Sequence, residues 1–104
     1  MVVILLKVHV QNQLHETIRT IEEPGEPFLH FCRAASGMQV RYVDFIWPYS
    51  DAMLNFFQLA AWIEDFPRAL DSDGLSDEER ASASRVLAAA KEAHSLDGYL
   101  LIEG

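Results

Sequence analysis

Apolar and polar positions change rhythm several times along the chain. In Val2–Val10 (VVILLKVHV) the first half is apolar throughout and the second half alternates. Leu6, Val8 and Val10 share one side; Lys7, His9 and Gln11 share the other. Period-two alternation predicts a strand with one buried face, and the doubly apolar first half predicts cover on both faces there. His15–Glu22 (HETIRTIE) predicts a second strand after a turn at Gln11–Gln13, although Ile18 and Ile21, three apart, also fit a helical turn. Glu23-Pro24-Gly25 reads as a turn. Met38–Trp47 (MQVRYVDFIW) alternates over its whole length. Val40, Tyr42, Asp44 and Ile46 fall on one face, and Gln39, Arg41, Val43, Phe45 and Trp47 on the other. It predicts the clearest strand, closed by Pro48. After a turn at Asp97-Gly98, Tyr99–Glu103 predicts the last strand.

Other segments recur at helical spacing. Phe28, Phe31, Cys32 and Ala35 define one face of a short helix, Pro27–Ser36, with Gly37 placed to end it in a left-handed conformation. Ser50 or Asp51 is placed to cap a helix running from Asp51 to about Asp65, which Pro67 ends or bends. Its apolar set is Met53, Phe56, Phe57, Ala60, Ala61 and Ile63, with a second stripe of Leu59, Trp62 and Phe66; Phe56 and Phe57 are expected in the core. Ser76 and Glu79 have capping-box spacing and open a surface helix, Ser76–His94, with a thin seam of Ala83, Val86, Leu87 and Ala90. The order is strand, strand, helix, strand, helix, helix, strand. It predicts one α+β domain over residues 1–104: a four-stranded, mostly antiparallel sheet with about three helices packed on one face.

Composition supports a real core. The chain has 104 residues, 50% of them hydrophobic, which is too apolar for disorder. Its single cysteine, Cys32 in FLHFC, rules out an intramolecular disulfide and reads as a small buried hydrophobe, in keeping with a reducing compartment. The apolar start breaks at Lys7 without a basic lead-in or cleavage pattern, so mature structure is expected there. No apolar run approaches the ~20 residues of a membrane span. The expectation is a soluble, cytoplasmic protein without membrane association. A net charge of −8 argues against nucleic acid and suits either plain solvated surface or a basic partner.

Catalytic signatures are not evident. His9, His15, His30 and His94 have no metal-ligand spacing; His30 and Cys32 would point in different directions on a helix. His9 and His15 would meet across neighbouring strands, but two ligands do not make a site. The serines lack a nucleophile-elbow frame and the five glycines are scattered. No cofactor or metal is therefore expected, and an enzyme such as a small hydrolase or isomerase would need residues converging from afar. Two binding candidates stand out. Asp51, Asn55, Gln58, Trp62 and Asp65 fall on one face of the predicted helix. The stretch 64–79 carries Glu64, Asp65, Asp71, Asp73, Asp77, Glu78 and Glu79, 7 of the 16 acids. Each also reads as solvated surface. Asp44, with Pro48 and Tyr49, reads as a structural corner, its carboxylate taking donors from the start of the next helix.

The run DFIWPYSDAMLNFFQL and the terminal YLLIEG add a likeness. From Tyr42 to the end, the chain resembles a group of small acidic bacterial proteins with an Asp-Pro-Tyr-x-Asp-x-x-x-Asn-x-x-Gln core. It is similar in size and layout to immunity proteins of polymorphic toxin systems. Asp44, Pro48, Tyr49, Asp51, Asn55 and Gln58 are the matching positions, with Phe45-Ile46-Trp47 lying between Asp44 and Pro48. The resemblance implies a non-catalytic protein-binding domain that covers the active site of a basic toxin or nuclease, presenting carboxylates where phosphates would sit. The alternative is a structural homodimer, in which Met53, Phe56, Phe57, Leu59, Trp62 and Phe66 exceed what one inward helix face needs and pack on a second copy.

Overall fold

The computed structural model describes residues 5–47 and 50–104. The start of the predicted first strand, Val2–Ile4, and the corner residues Pro48 and Tyr49 lie outside the described residues. The rest forms β1 (Leu5–Gln11), β2 (Thr17–Pro24), α1 (Gly25–Gly37), β3 (Ala52–Leu54), α2 (Phe56–Leu70), α3 (Asp77–Ser95) and β4 (Tyr99–Glu103). A single 3-10 turn, Val43–Phe45, precedes β3. The four strands make one sheet in the order β2-β1-β4-β3, with every neighbouring pair antiparallel. This is the expected α+β fold, with three helices.

Alternation in the strands selects the covered face. Leu6, Val8 and Val10 of β1, Leu100 and Ile102 of β4, and Leu54 of β3 are all buried. Register places Val8 beside Ile102 and Val10 beside Leu100, so they share the side on which the helices lie. Leu5, in the apolar first half of the predicted strand, lies on the other face and is exposed, so the cover expected on both faces of that half fails at this residue. Across the core, Phe31 meets Phe66 at 5.0 Å between ring centroids and Trp62 meets Phe66 at 4.8 Å, so aromatic contacts join α1 to α2. Cys32 is buried with them, and burial pushes its thiol pKa well up, as expected of an inert core cysteine.

The segment 38–47 is not a strand. Gln39 (φ 63°) and Tyr42 (φ 66°) adopt left-handed backbone, which breaks any extended run twice, and the 3-10 turn follows. The buried residues are Val40, Val43 and Ile46, every third position, so one apolar side of a coiled loop faces the core. Phe45 and Trp47 face outward. The fourth strand is β3 instead, pairing Ala52, Met53 and Leu54 with Ile102, Leu101 and Leu100.

Other boundaries move for local reasons. Glu23-Pro24-Gly25 is not a turn: β2 runs straight into α1, with Pro24 as N-cap at φ −57°. Gly37 is the last residue of α1, and Gln39 takes the left-handed conformation expected of it. Helix α2 starts at Phe56, not Asp51, and continues past Pro67 to Leu70. Pro67 removes the donor for the carbonyl of Ile63 but lies on the exposed side of the helix, and Asp71 N–H still donates to the Pro67 carbonyl at 3.2 Å. The inward stripe of α2 is Leu59, Trp62 and Phe66; Phe57 points to solvent and Phe56 is half-buried. Helix α3 and its seam match expectation, with the Ser76–Glu79 capping box formed in both directions. His9 and His15 do not meet: His9 lies opposite Thr20, and His15 stacks on Tyr99 at 3.9 Å.

Two glycines give opposite tests of this packing. A Cβ at Gly98 would stand 1.9 Å from the carbonyl oxygen of Gln11, where β4 begins against β1. Gly98→Ala is expected to cost more than about 2 kcal/mol of unfolding free energy. Gly37 has open space around its would-be Cβ and closes a helix, so Gly37→Ala should stabilise by roughly 0.5–1 kcal/mol. Denaturant midpoints of the two variants check both signs.

Candidate functional site

The polar stripe read from the sequence divides once α2 is placed. Asn55 caps the helix: its side chain accepts from Gln58 N–H at 3.0 Å, while the Gln58 side chain accepts from Asn55 N–H at 2.9 Å. Both residues are thus bound to the backbone they start, as a reciprocal capping box requires. Asp51 lies before β3, exposed and outside the helix. Trp62 is fully buried, and its indole N–H donates to the Arg41 carbonyl at 2.8 Å. Asp65 is also buried. The stripe is therefore a helix cap followed by two core residues, and it offers no continuous contact face.

Asp65 and Arg41 form the strongest polar clasp of the loop. The guanidinium grips the carboxylate with two bonds, Nε to Oδ2 at 2.9 Å and Nη2 to Oδ1 at 3.1 Å. Arg41 backbone N–H adds a third at 3.2 Å. These bonds hold the Asp65 carboxyl below the usual carboxylate range and raise the Arg41 pKa. Glu64 joins from outside, 3.3 Å from Arg41 Nη2. Arg68 donates to the Met38 carbonyl. One side of α2 thus holds the backbone of loop 38–47.

Elsewhere the acids separate by role. Glu79 belongs to the α3 capping box and lies 3.4 Å from His30 Nδ1; its pKa is held down first by the Ser76 backbone N–H. Asp77 lies 3.8 Å from Arg80, which also donates to the Leu70 carbonyl at 3.0 Å. Asp71, Asp73 and Glu78 are exposed and form no ion pair with the described residues. Asp44 takes its donor from behind, Ser36 Oγ at 2.6 Å at the end of α1, and not from the Asp51–Asn55 region. It is exposed and not on an inward strand face.

Two groupings were not legible beforehand. Glu23, expected in a turn, is buried on the helix side of β2 opposite Leu6. Its carboxylate receives Arg85 Nε at 2.8 Å, Arg85 Nη2 at 2.6 Å and Ser82 Oγ at 2.8 Å, which ties β2 to α3. On the open face of the sheet, His9 Nδ1 lies 2.7 Å from Thr20 Oγ1 while Nε2 contacts Glu103. This hydroxyl–imidazole–carboxylate string bridges three strands, with Thr20 directly opposite His9 and Glu103 diagonal to it, opposite Lys7.

Of the large apolar residues exposed among those described, Leu5, Leu14, Ile18 and Leu96 are scattered, and four others share one stretch of sequence. Phe45 (51% exposed), Trp47 (63%), Met53 (44%) and Phe57 (79%) all fall within residues 45–57. Phe57 is set edge-on to Phe56 at 5.7 Å, and Phe56 stacks on His94 of α3 at 4.2 Å, so the outward ring stands on a braced one. From Tyr42 to Pro67 the chain has no Lys or Arg, while Asp44, Asp51 and Glu64 are exposed. Each of these side chains offers apolar contact area, Met53 on the open face of the sheet and Phe57 on α2.

Comparison with known protein families, with curated proteins and with solved structures finds no match to this chain. Among the described residues no group of three or more His, Cys, Asp or Glu is placed to hold a metal, and no helix is long and apolar enough to cross a membrane.

The clasp predicts an acid-sensitive fold. Because the Asp65 pKa is lowered in the folded state, its stabilisation is complete above the ordinary carboxylate range near about 4 and is lost as pH falls through the folded value. Asp65→Asn should flatten the acid limb of the stability–pH curve. Asp65→Ala, which leaves the Arg41 backbone N–H and guanidinium only Glu64 nearby, should lower the urea midpoint near neutral pH more than Glu64→Ala does.

Proposed function

We propose that the protein is a non-catalytic protein-binding domain that recognises a basic partner through the outer surface of residues 45–57. The observation that carries this reading is the exposure of Phe45, Trp47, Met53 and Phe57 in a stretch without a single cation. Large apolar side chains left in water mark contact surfaces, and aromatic anchors bury much area with few rotatable bonds. The net charge of −8 and the exposed Asp44, Asp51 and Glu64 favour a basic partner by long-range attraction. An immunity-like inhibitor of a basic toxin or nuclease is the form of this reading that the sequence resemblance suggests. In that form the exposed acids Asp71 and Asp73 form a second, more peripheral contact.

The homodimer built on the aromatic helix has less support, because Leu59, Trp62 and Phe66 are buried in the chain's own core. A test uses the immobilised protein, native-host lysate and two variants. Trp47→Ser with Phe57→Ser removes exposed apolar area and should leave the thermal midpoint nearly unchanged. It should weaken capture of a basic partner by at least about tenfold. Asp71→Lys with Asp73→Lys should weaken it less, and high salt should release the bound partner. Equal capture by the parent and the aromatic variant would remove the surface from the proposal.

A further inference from the structure

Four residues other than glycine have left-handed backbone among the described residues: His15, Gln39, Tyr42 and Asp97. Three have a local reason. His15 lies in the short connection between β1 and β2. Gln39 and Asp97 follow the ends of α1 and α3, and each is flanked by the paired backbone bonds that close a last helical turn, Val40 N–H to the Ala35 carbonyl and Gly98 N–H to the Ala93 carbonyl. Tyr42 ends no helix and closes no hairpin. It stands before the 3-10 turn with φ 66° and ψ 8°, a conformation that glycine adopts freely and a bulky residue adopts only under constraint. An outlier of this kind points to function when its surroundings impose it.

Here the surroundings are α2. Trp62 Nε1 donates to the Arg41 carbonyl at 2.8 Å, and Arg41 N–H donates to the Asp65 carboxylate at 3.2 Å. The peptide planes on both sides of Arg41 are thus fixed, and the second of them leads into Tyr42. Beyond Tyr42 the turn is pinned as well. Val43 and Ile46 are buried, Ile46 N–H donates to the Val43 carbonyl at 3.2 Å, and Asp44 accepts from Ser36 Oγ. Within this pinned turn one large side chain points outward, Phe45, 51% exposed. The Tyr42 ring, itself half-buried against the core, stands beside it with centroids 5.8 Å apart and ring planes at 37°. Glycine at position 42 would relieve the backbone and remove that brace.

We propose that Tyr42 is a positioning residue of the contact surface: α2 holds it left-handed through Arg41, and its ring fixes Phe45 as a preformed aromatic anchor. The assignment rests on the contact role given above to residues 45–57. An anchor ordered before binding loses less side-chain freedom when a partner covers it, so the brace adds affinity without a contact of its own.

NMR on the full chain tests the brace, with Tyr42→Gly and Tyr42→Phe as the variants. Tyr42→Gly relieves the backbone, so its fold should persist by circular dichroism. Three-bond couplings should give Phe45 a single χ1 rotamer in the parent and in Tyr42→Phe, which keeps the ring, and averaging among rotamers in Tyr42→Gly. A tyrosine that only fills the core would lower the thermal midpoint of Tyr42→Gly and leave Phe45 in one rotamer. In the second arm, the basic protein that salt releases from the immobilised parent should leave Tyr42→Gly about three- to tenfold faster and Tyr42→Phe at the parental rate. Rotamer averaging of Phe45 in the parent, or a single rotamer kept in Tyr42→Gly, overturns the proposal whatever is captured. Averaging in Tyr42→Gly with capture unchanged, or with no basic protein captured by the parent, overturns instead the contact role of Phe45, and the proposal with it.

Discussion

The structure depends on how α2 holds the loop in front of it. Trp62 and Asp65 are buried on α2, and each uses its polar atoms on the backbone or side chain of Arg41. Neither is stable there alone: a buried indole N–H needs an acceptor and a buried carboxylate needs donors. Loop 38–47 supplies both from one residue. The loop in turn places Val40, Val43 and Ile46 against the core near α1 and α2. The two left-handed residues, Gln39 and Tyr42, flank Arg41's backbone and each carries a steric cost of about 1 kcal/mol or more. The clasp is what makes that conformation the preferred one.

This also explains why the loop was misread. Met38–Trp47 has the alternation of a strand, and no glycine or proline interrupts it before Pro48. The left-handed positions fall to Gln39 and Tyr42, residue types that carry no turn signal. The polar partners that decide the matter, Asp65 and Trp62, are some twenty residues away, beyond the reach of local pattern. By contrast β1, β4 and α3 were legible because their burial is set by one face and their ends by adjacent residues. The same capping signal was readable at Ser76–Glu79 and present at Asn55–Gln58. At the second site it was hidden because the two polar residues also fit a surface stripe continuing to Trp62.

Most of the arginines serve as ties between elements. Arg19, Arg41, Arg68, Arg80 and Arg85 each hold a carboxylate or a backbone carbonyl between elements. The two inward acids, Glu23 and Asp65, are each gripped by an arginine whose side chain stays about half-exposed. The surplus falls on exposed positions such as Asp51, Asp71, Asp73 and Glu78. This is why the acidic stretch 64–79 does not act as one unit: Asp65 and Glu79 act in the fold, and the acids between them, Asp71, Asp73, Asp77 and Glu78, face water.

The two ways of ending the sheet follow from the same economy of charge. At β3 the sheet stops after three residues because the loop held by α2 leaves only Ala52–Leu54 free to pair with β4. At β2 no loop intervenes, since the strand passes directly into α1, and its whole length is paired with β1. Buried Glu23 is fixed there by Arg85 and Ser82, and Arg19 is held by Glu92, so two ion pairs fasten α3 to β2 on either side of Ile21. One end of the sheet is thus set by a loop clasped to α2, and the other by a strand clasped to α3.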